Sequence, residues 1–203
     1  MWIEQLFTSR KQKMRAQARH MGMVYYPKAA EETVDHLKSF RFMGRGKRTR
    51  VKHILYKDFP DQKAHVHLFD FSYYRGDKRR RQTVFWIAST HLQLPDFFLR
   101  PEHYGHTVAR FLGDKDIHFD RYPVFSRNYW VKGNKENEIR YLLHDDLLDF
   151  FSRRPGWFME GAGQEFILFR HRKKCPAKKL NSLMKMGLSV FDLILERGKG
   201  RFL

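Results

Sequence analysis

The chain has 203 residues, 42% hydrophobic and 31% charged, the size and mix of one ordinary globular domain or at most two very small ones. Lys and Arg number 40 against 22 Asp and Glu, giving +18 at pH 7 and a pI of about 10.1. An aromatic content of 16% excludes a disordered basic tail, and the single Cys175 excludes an internal disulfide or a zinc site built on several cysteines.

Residues 2–20 read as a helix, with Ile3, Leu6, Phe7 and Met14 on one side and basic residues elsewhere. Gly22 serves as its stop and Pro27 prevents continuation. A short helix is expected over 31–40, where Val34 and Leu37 share a face and Glu31 and Glu32 suit its positive N-terminus. The period then becomes strand-like over 51–59, 65–74 and 81–90, which are rich in aromatic and β-branched residues. The middle run is apolar on both faces and so is expected inside a sheet. The turn around Gly76 joins it to the third run as an antiparallel hairpin with a very basic tip.

An extended piece at 97–100 is expected to lead into a helix over 101–112, opened by Pro101, buried through Tyr104, Val108, Phe111 and Leu112, and ended by Gly113. Residues 125–131 read as extended. A helix over 136–151 would bury Ile139, Leu142, Leu143, Leu147 and Phe150. A hairpin of 157–160 and 165–170 would turn at Gly161, Ala162 and Gly163, followed by a helix over 177–196 burying Leu180, Leu183, Leu188, Phe191 and Ile194. This order predicts an α+β fold: an antiparallel β-meander packed with helices, plus a C-terminal strand-helix-hairpin-helix unit. Residues 1–30 form a basic amphipathic segment and 31–203 a single domain, with 113–124 the place where two subdomains would divide.

Most of the excess charge sits in four runs nearly free of acids. The first holds Arg10, Lys11, Lys13, Arg15, Arg19 and Lys28; the second holds Arg41, Arg45, Lys47, Arg48, Arg50 and Lys52 around Gly44 and Gly46. The third holds Arg75, Lys78, Arg79, Arg80 and Arg81, and the fourth Arg170, Arg172, Lys173, Lys174, Lys178 and Lys179. Such runs repel themselves unless an anion is near, which makes Arg10, Lys11, Lys13, Arg15, Arg45, Lys47, Arg48, Arg50, Lys78, Arg79, Arg80 and Arg81 the candidate anionic-surface residues.

Catalytic patterns are weak. His65 and His67 share a strand face and His103 and His106 stand three apart, but neither pair has the HExxH arrangement, so no metal is expected. The glycines near Gly46 suggest a phosphate cradle, yet Arg41 and Arg48 stand where a P-loop needs glycine and a hydroxyl. Asp145 and Asp146 beside His144 diverge on a helix and read as a solvated face. A dispersed site of His67, Asp70, Arg100 and Glu102 has only their polarity to recommend it; Arg100 and Glu102 equally suit a structural ion pair. No cofactor and no catalytic residue are assigned, and a non-enzymatic binding domain is the expectation.

Several segments carry a resemblance: Val66-His67-Leu68-Phe69-Asp70-Phe71-Ser72-Tyr73-Tyr74, Leu94-Pro95-Asp96-Phe97-Phe98-Leu99-Arg100-Pro101-Glu102, and Phe125-Ser126-Arg127-Asn128-Tyr129. With Gln82-Thr83-Val84, Asp116-Ile117-His118-Phe119 and Glu160-Gly161-Ala162-Gly163, the chain over about 40–195 resembles a family of bacterial α+β domains of unassigned function. The resemblance implies a place at the cytoplasmic membrane face, because such domains commonly follow transmembrane segments. This sequence has no run of about 18 to 20 apolar residues, and its N-terminus does not read as a secretory signal. A cytoplasmic protein, peripheral on the inner face of the membrane, is therefore expected.

Two function classes follow. In the first, Trp2, Ile3, Leu6 and Phe7 anchor among acyl chains while Arg10, Lys11, Lys13 and Arg15 meet anionic headgroups. In the second, the tip from Arg75 to Arg81 grips nucleic-acid phosphates and Tyr73, Tyr74 and Trp86 stack bases, without sequence preference. The expected partner is an anionic lipid surface or a nucleic acid, with a membrane protein as a further partner.

Overall fold

The structure is a computed structural model, and it describes residues 9–104 and 116–199. The helix α1 (Arg10–His20) opens with a capping box: the Gln12 N–H donates to Ser9 Oγ at 3.3 Å, and the Ser9 N–H donates to Gln12 Oε1 at 2.8 Å. Ser9 is extended, so the expected helix over 2–20 starts at Arg10; Trp2, Ile3, Leu6 and Phe7 lie outside the described residues. Met14 and Ala18, four apart, are the buried pair of α1.

Eight strands then form one antiparallel sheet: β1 (Val24–Lys28), β2 (Lys47–Phe59), β3 (Ala64–Arg75), β4 (Lys78–Ser89), β5 (Leu94–Pro101), β6 (Tyr129–Gly133), β7 (Phe158–Gly163) and β8 (Glu165–Phe169). Their spatial order is β1-β2-β3-β4-β8-β7-β5-β6. The meander β2-β3-β4 is continuous, and the hairpin β7-β8 is inserted between β4 and β5, which are consecutive in the chain. Strands β5 and β6, on either side of 113–124, are neighbours.

Alternation divides the sheet into two faces. On one, Leu55, Val66, Leu68, Phe85, Phe97 and Leu168 form a core with α1 and the C-terminal helices. These are α3 (Pro123–Asn128), α4 (Glu136–Leu142), α5 (Asp145–Ser152) and α6 (Leu180–Lys199). On the other, Val51, Phe69, Phe71, Trp86, Phe158 and Phe169 pack against α2 (Glu31–Leu37) and the segment 38–46, which contributes Phe40, Phe42 and Met43. The α+β class and the internal, two-sided character of β3 are as expected.

Several local expectations are corrected, and Pro27, which does lie beyond the end of α1, has a further role in the sheet. Pro27 lies within the edge strand β1, where a missing N–H removes no bond to an outer neighbour. Pro101 ends β5, opposite Tyr129, rather than opening a helix; a 3-10 turn at Glu102–Tyr104 comes next, and Val108, Phe111, Leu112 and Gly113 lie outside the described residues. Residues 125–128 belong to the helix α3, which Pro123 opens. The expected helix over 136–151 is two, because His144 is extended and starts α5, with Asp145 and Asp146 in its first turn. Phe150 is only half-buried, and Leu148 and Phe151 take the buried positions of α5. Leu188 of α6 is likewise half-buried beside Met184, Met186 and Val190.

Gly46 does not cradle a phosphate: a Cβ there would stand 2.4 Å from the Tyr73 ring, so the glycine lets segment 38–46 lie against the sheet. Gly187 does the same on the other face, where a Cβ would meet the Phe85 ring at 2.4 Å. Among the described residues no helix is long and apolar enough to cross a membrane.

Candidate anion-binding cleft

Strand β2 is not regular. Its register against β3 shifts between Lys47 and Arg50 and again between Lys52 and Leu55. Each irregularity contains a non-glycine residue in the left-handed region, Arg48 at φ 53° and His53 at φ 56°. Conformations of this kind cost on the order of 1 kcal/mol each and are kept where the surrounding structure uses them. Here they redirect Lys52 and His53 into a cleft on the helical face of the sheet, beyond the end of the helical layer.

The cleft has a volume of about 210 Å³. Asp70 and Ser72 of β3 form its floor, and Arg79 and Arg81 of β4 form one side. Lys52 and Lys174 complete it. Asp70 is buried and held on several sides: Arg10 Nη2 and Nε donate to its two oxygens at 2.8 and 2.9 Å, Lys174 Nζ stands 3.2 Å away, and the Thr83 hydroxyl donates at 2.8 Å. Burial alone raises the Asp70 pKa, but Arg10, Thr83 and Lys174 together bring it below the ordinary carboxylate value. The acid is therefore ionised and its charge spent on the two cations it organises.

The sequence brings Lys174 here through main-chain stitching. The Thr83 N–H donates to the Lys173 carbonyl at 3.1 Å, the Arg172 N–H to Gln82 Oε1 at 3.3 Å, and the Cys175 N–H to Thr83 Oγ1 at 2.9 Å. The Cys175 thiol is pushed up by burial and stays protonated, so it offers no thiolate nucleophile. Arg79 is oriented by its bond to Ser72 Oγ at 3.3 Å, whereas Lys52 and Arg81 form no ion pair among the described residues.

Each of the four basic runs thus contributes to one place: Arg10, Lys52, the pair Arg79 and Arg81, and Lys174, five cations about a single acid. Arg50, opposite Ser72, and Arg48, 5.9 Å from the Tyr74 ring centroid, flank it. Lys47 and Lys78 are exposed near the same end of the sheet. Arg80 is half-buried and alternates to the opposite face, and Lys11, Lys13 and Arg15 are exposed on α1 without lining the cleft. The Arg45 side chain lies outside the described residues.

Sequence reasoning reached Asp70 only as a member of the dispersed set, and Lys52 and Lys174 only as charges within their runs; the local signal for Asp70 was an acid on the apolar face of β3 defined by Val66 and Leu68. The dispersed set does not assemble. His67 and Asp70 occupy opposite faces of β3, and Arg100 lies on the far side of the sheet, its guanidinium 4.4 Å from the Trp130 ring centroid and donating to the carbonyls of Pro101 and Glu102. His65 pairs with Asp58, and His67 stacks on Trp86 at 4.4 Å. Tyr73 and Trp86 are buried on the face opposite the cleft, leaving Tyr74 as the member of the expected stacking set near it, through Arg48.

No family profile and no curated protein matches the chain. Among solved structures, it is similar to the crystal structure of the mycobacterial trehalose monomycolate transport factor A, TtfA, with a TM-score of 0.62 and 11% identity over 92% of this chain and 93% of that one. At that identity the likeness is one of fold: both chains share an α+β architecture over nearly their whole length.

Proposed function

We propose that this protein is a non-enzymatic binding domain that associates peripherally with the anionic cytoplasmic face of a membrane, seating a phosphate-bearing headgroup in the cleft. The observation that supports this reading is the meeting of all four basic runs around Asp70. A basic residue near an anionic lipid surface contributes about 1 kcal/mol, so several acting together are enough for reversible association. Trp2, Ile3, Leu6 and Phe7 supply apolar contacts in this reading, immediately before the Ser9 cap of α1.

Sedimentation with phosphatidylglycerol-containing vesicles tests it. The full chain is expected to bind, and the double substitution Arg79→Ala and Arg81→Ala to weaken binding roughly thirtyfold. Equal binding of the two proteins sinks the reading. Nucleic-acid phosphates are the second reading, favoured by the Arg48–Tyr74 pair beside the cleft. An oligonucleotide that competes the protein off vesicles and whose own affinity falls steeply with salt would put that reading first.

A further inference from the structure

The other face of the sheet carries a second cleft, of about 290 Å³, between α2 and strands β1 to β4. Its floor is apolar and aromatic: Val51, Ile54, Phe69 and Trp86. Thr33 and Leu37 of α2 form the roof. On the β8 side, Glu165 accepts the Trp86 indole N–H at 2.7 Å and pairs with His36 Nε2 of α2 at 2.9 Å, tying the helix to the sheet. The opposite side opens at the sheet edge, where Tyr26 and Lys28 of β1 line the cleft. The apolar surface continues outward there, since Val24 is 53% and Tyr26 48% exposed.

The same short segment of β2 serves both clefts. Val51 and Ile54 point into the apolar one while Lys52 and His53, between them, line the basic one. Lys28, at the open side, is the cation of the apolar cleft and stands opposite Lys52 in the β1–β2 register. Neither lysine forms an ion pair among the described residues. An apolar cleft with a lysine at its open side fits a chain whose outer end is anionic. Its volume lies just below the roughly 300 to 1,000 Å³ of sites for drug-sized ligands, which suits part of one chain and not a folded partner.

From these observations we infer that the cleft under α2 takes one acyl chain of an anionic membrane lipid, with the headgroup held at the sheet edge by Lys28. This rests on the membrane reading above and assigns that reading a second, apolar contact. Ring surfaces of Tyr56, His67 and Trp86 border the chain, so Trp86 reports its entry.

The test uses the full chain carrying Trp2→Phe, because the membrane reading places Trp2 among acyl chains, and two bromine-bearing quenchers: vesicles of phosphatidylglycerol brominated on its acyl chains, and a soluble bromine-terminated undecanoate. Both are expected to quench tryptophan fluorescence, and the quenching is expected to disappear in Trp86→Phe. Thr33→Phe, which fills the apolar cleft from its roof, is expected to abolish quenching by either probe while the protein still sediments with vesicles through the basic cleft, more weakly than with the apolar cleft open. Lys28→Glu is expected to weaken binding of the undecanoate roughly tenfold. Quenching by neither probe, or quenching that survives in Trp86→Phe, overturns the inference. Quenching by the soluble acid alone overturns the assignment to a membrane lipid. Sedimentation reads the basic cleft and Trp86 the apolar one, so the two readings fail separately.

Discussion

The two faces of the sheet are covered by different means. The helical face is roofed by α1 and four C-terminal helices, and its core runs unbroken from Met14 to Ile194. The other face is covered by one helix of seven residues and an irregular segment. That segment is pinned by Glu160, whose buried carboxylate accepts the main-chain N–H of Phe42 at 3.0 Å and that of Arg41. Helices satisfy their own main chain and need only apolar contact, whereas an irregular cover must find acceptors for its N–H groups in the sheet. The thinner cover also leaves room for a cleft beneath it.

Substitutions on each face, and one outside both, test that contrast. Glu160→Ala removes the acceptor of two buried N–H groups and is expected to cost about 4 kcal/mol in chemical denaturation. Glu160→Gln, which keeps one acceptor oxygen, should recover part of that. If Glu160→Ala cost less than Gly187→Ala, the account of the irregular cover would be wrong.

Acid should weaken the same face next. Burial lowers the His67 pKa to about 4 from an ordinary 6.5. The unfolded chain therefore takes a proton first as pH falls, and stability is full above about 6.5 and lost progressively down to about 4, by roughly 3 kcal/mol. Asp70, depressed by its cations, adds a loss of the same sign as pH falls through its folded value. Denaturation of His67→Phe across this range should show a clearly flatter profile; an unchanged slope would remove His67 from the account.

On the helical face the sensitive feature is closeness. Gly187→Ala places a methyl against Phe85 and is expected to cost about 2 kcal/mol, with Phe85→Leu in the same chain recovering part of it. Lys63, at φ 43° in the exposed β2–β3 turn, belongs to neither cover. Lys63→Gly should raise stability by roughly 0.5 to 1 kcal/mol, a change opposite in sign to Glu160→Ala and Gly187→Ala.

Much of this architecture was legible in residue order. The strands of the meander declared themselves through aromatic and β-branched residues, and α6 through its apolar stripe. The break at His144 was not, because Ile139, Leu142, Leu143 and Leu147 keep helical spacing straight across it. The edge strand β1 was hidden by Pro27, whose meaning depends on having no strand beyond it. The basic runs were visible one by one, but their meeting follows from β8 pairing with β4, a contact between distant parts of the chain that no local pattern records. Lys28 illustrates the limit: it counts as one more charge in the first run until the register places it beside Lys52.

The strand order also sets a timetable. Residues 90–93 carry the chain from β4 to β5 across the places of two strands that have not yet been made, a step of about 14 Å at the usual interstrand spacing. As the chain leaves the ribosome, β4 has its inner neighbour β3 at once but an open outer edge until residues 165–169 arrive. The Arg79–Arg81 end of that strand keeps unfinished edges apart by repulsion during this interval. The charge that shapes the finished cleft therefore also guards an incomplete sheet against joining another copy of itself.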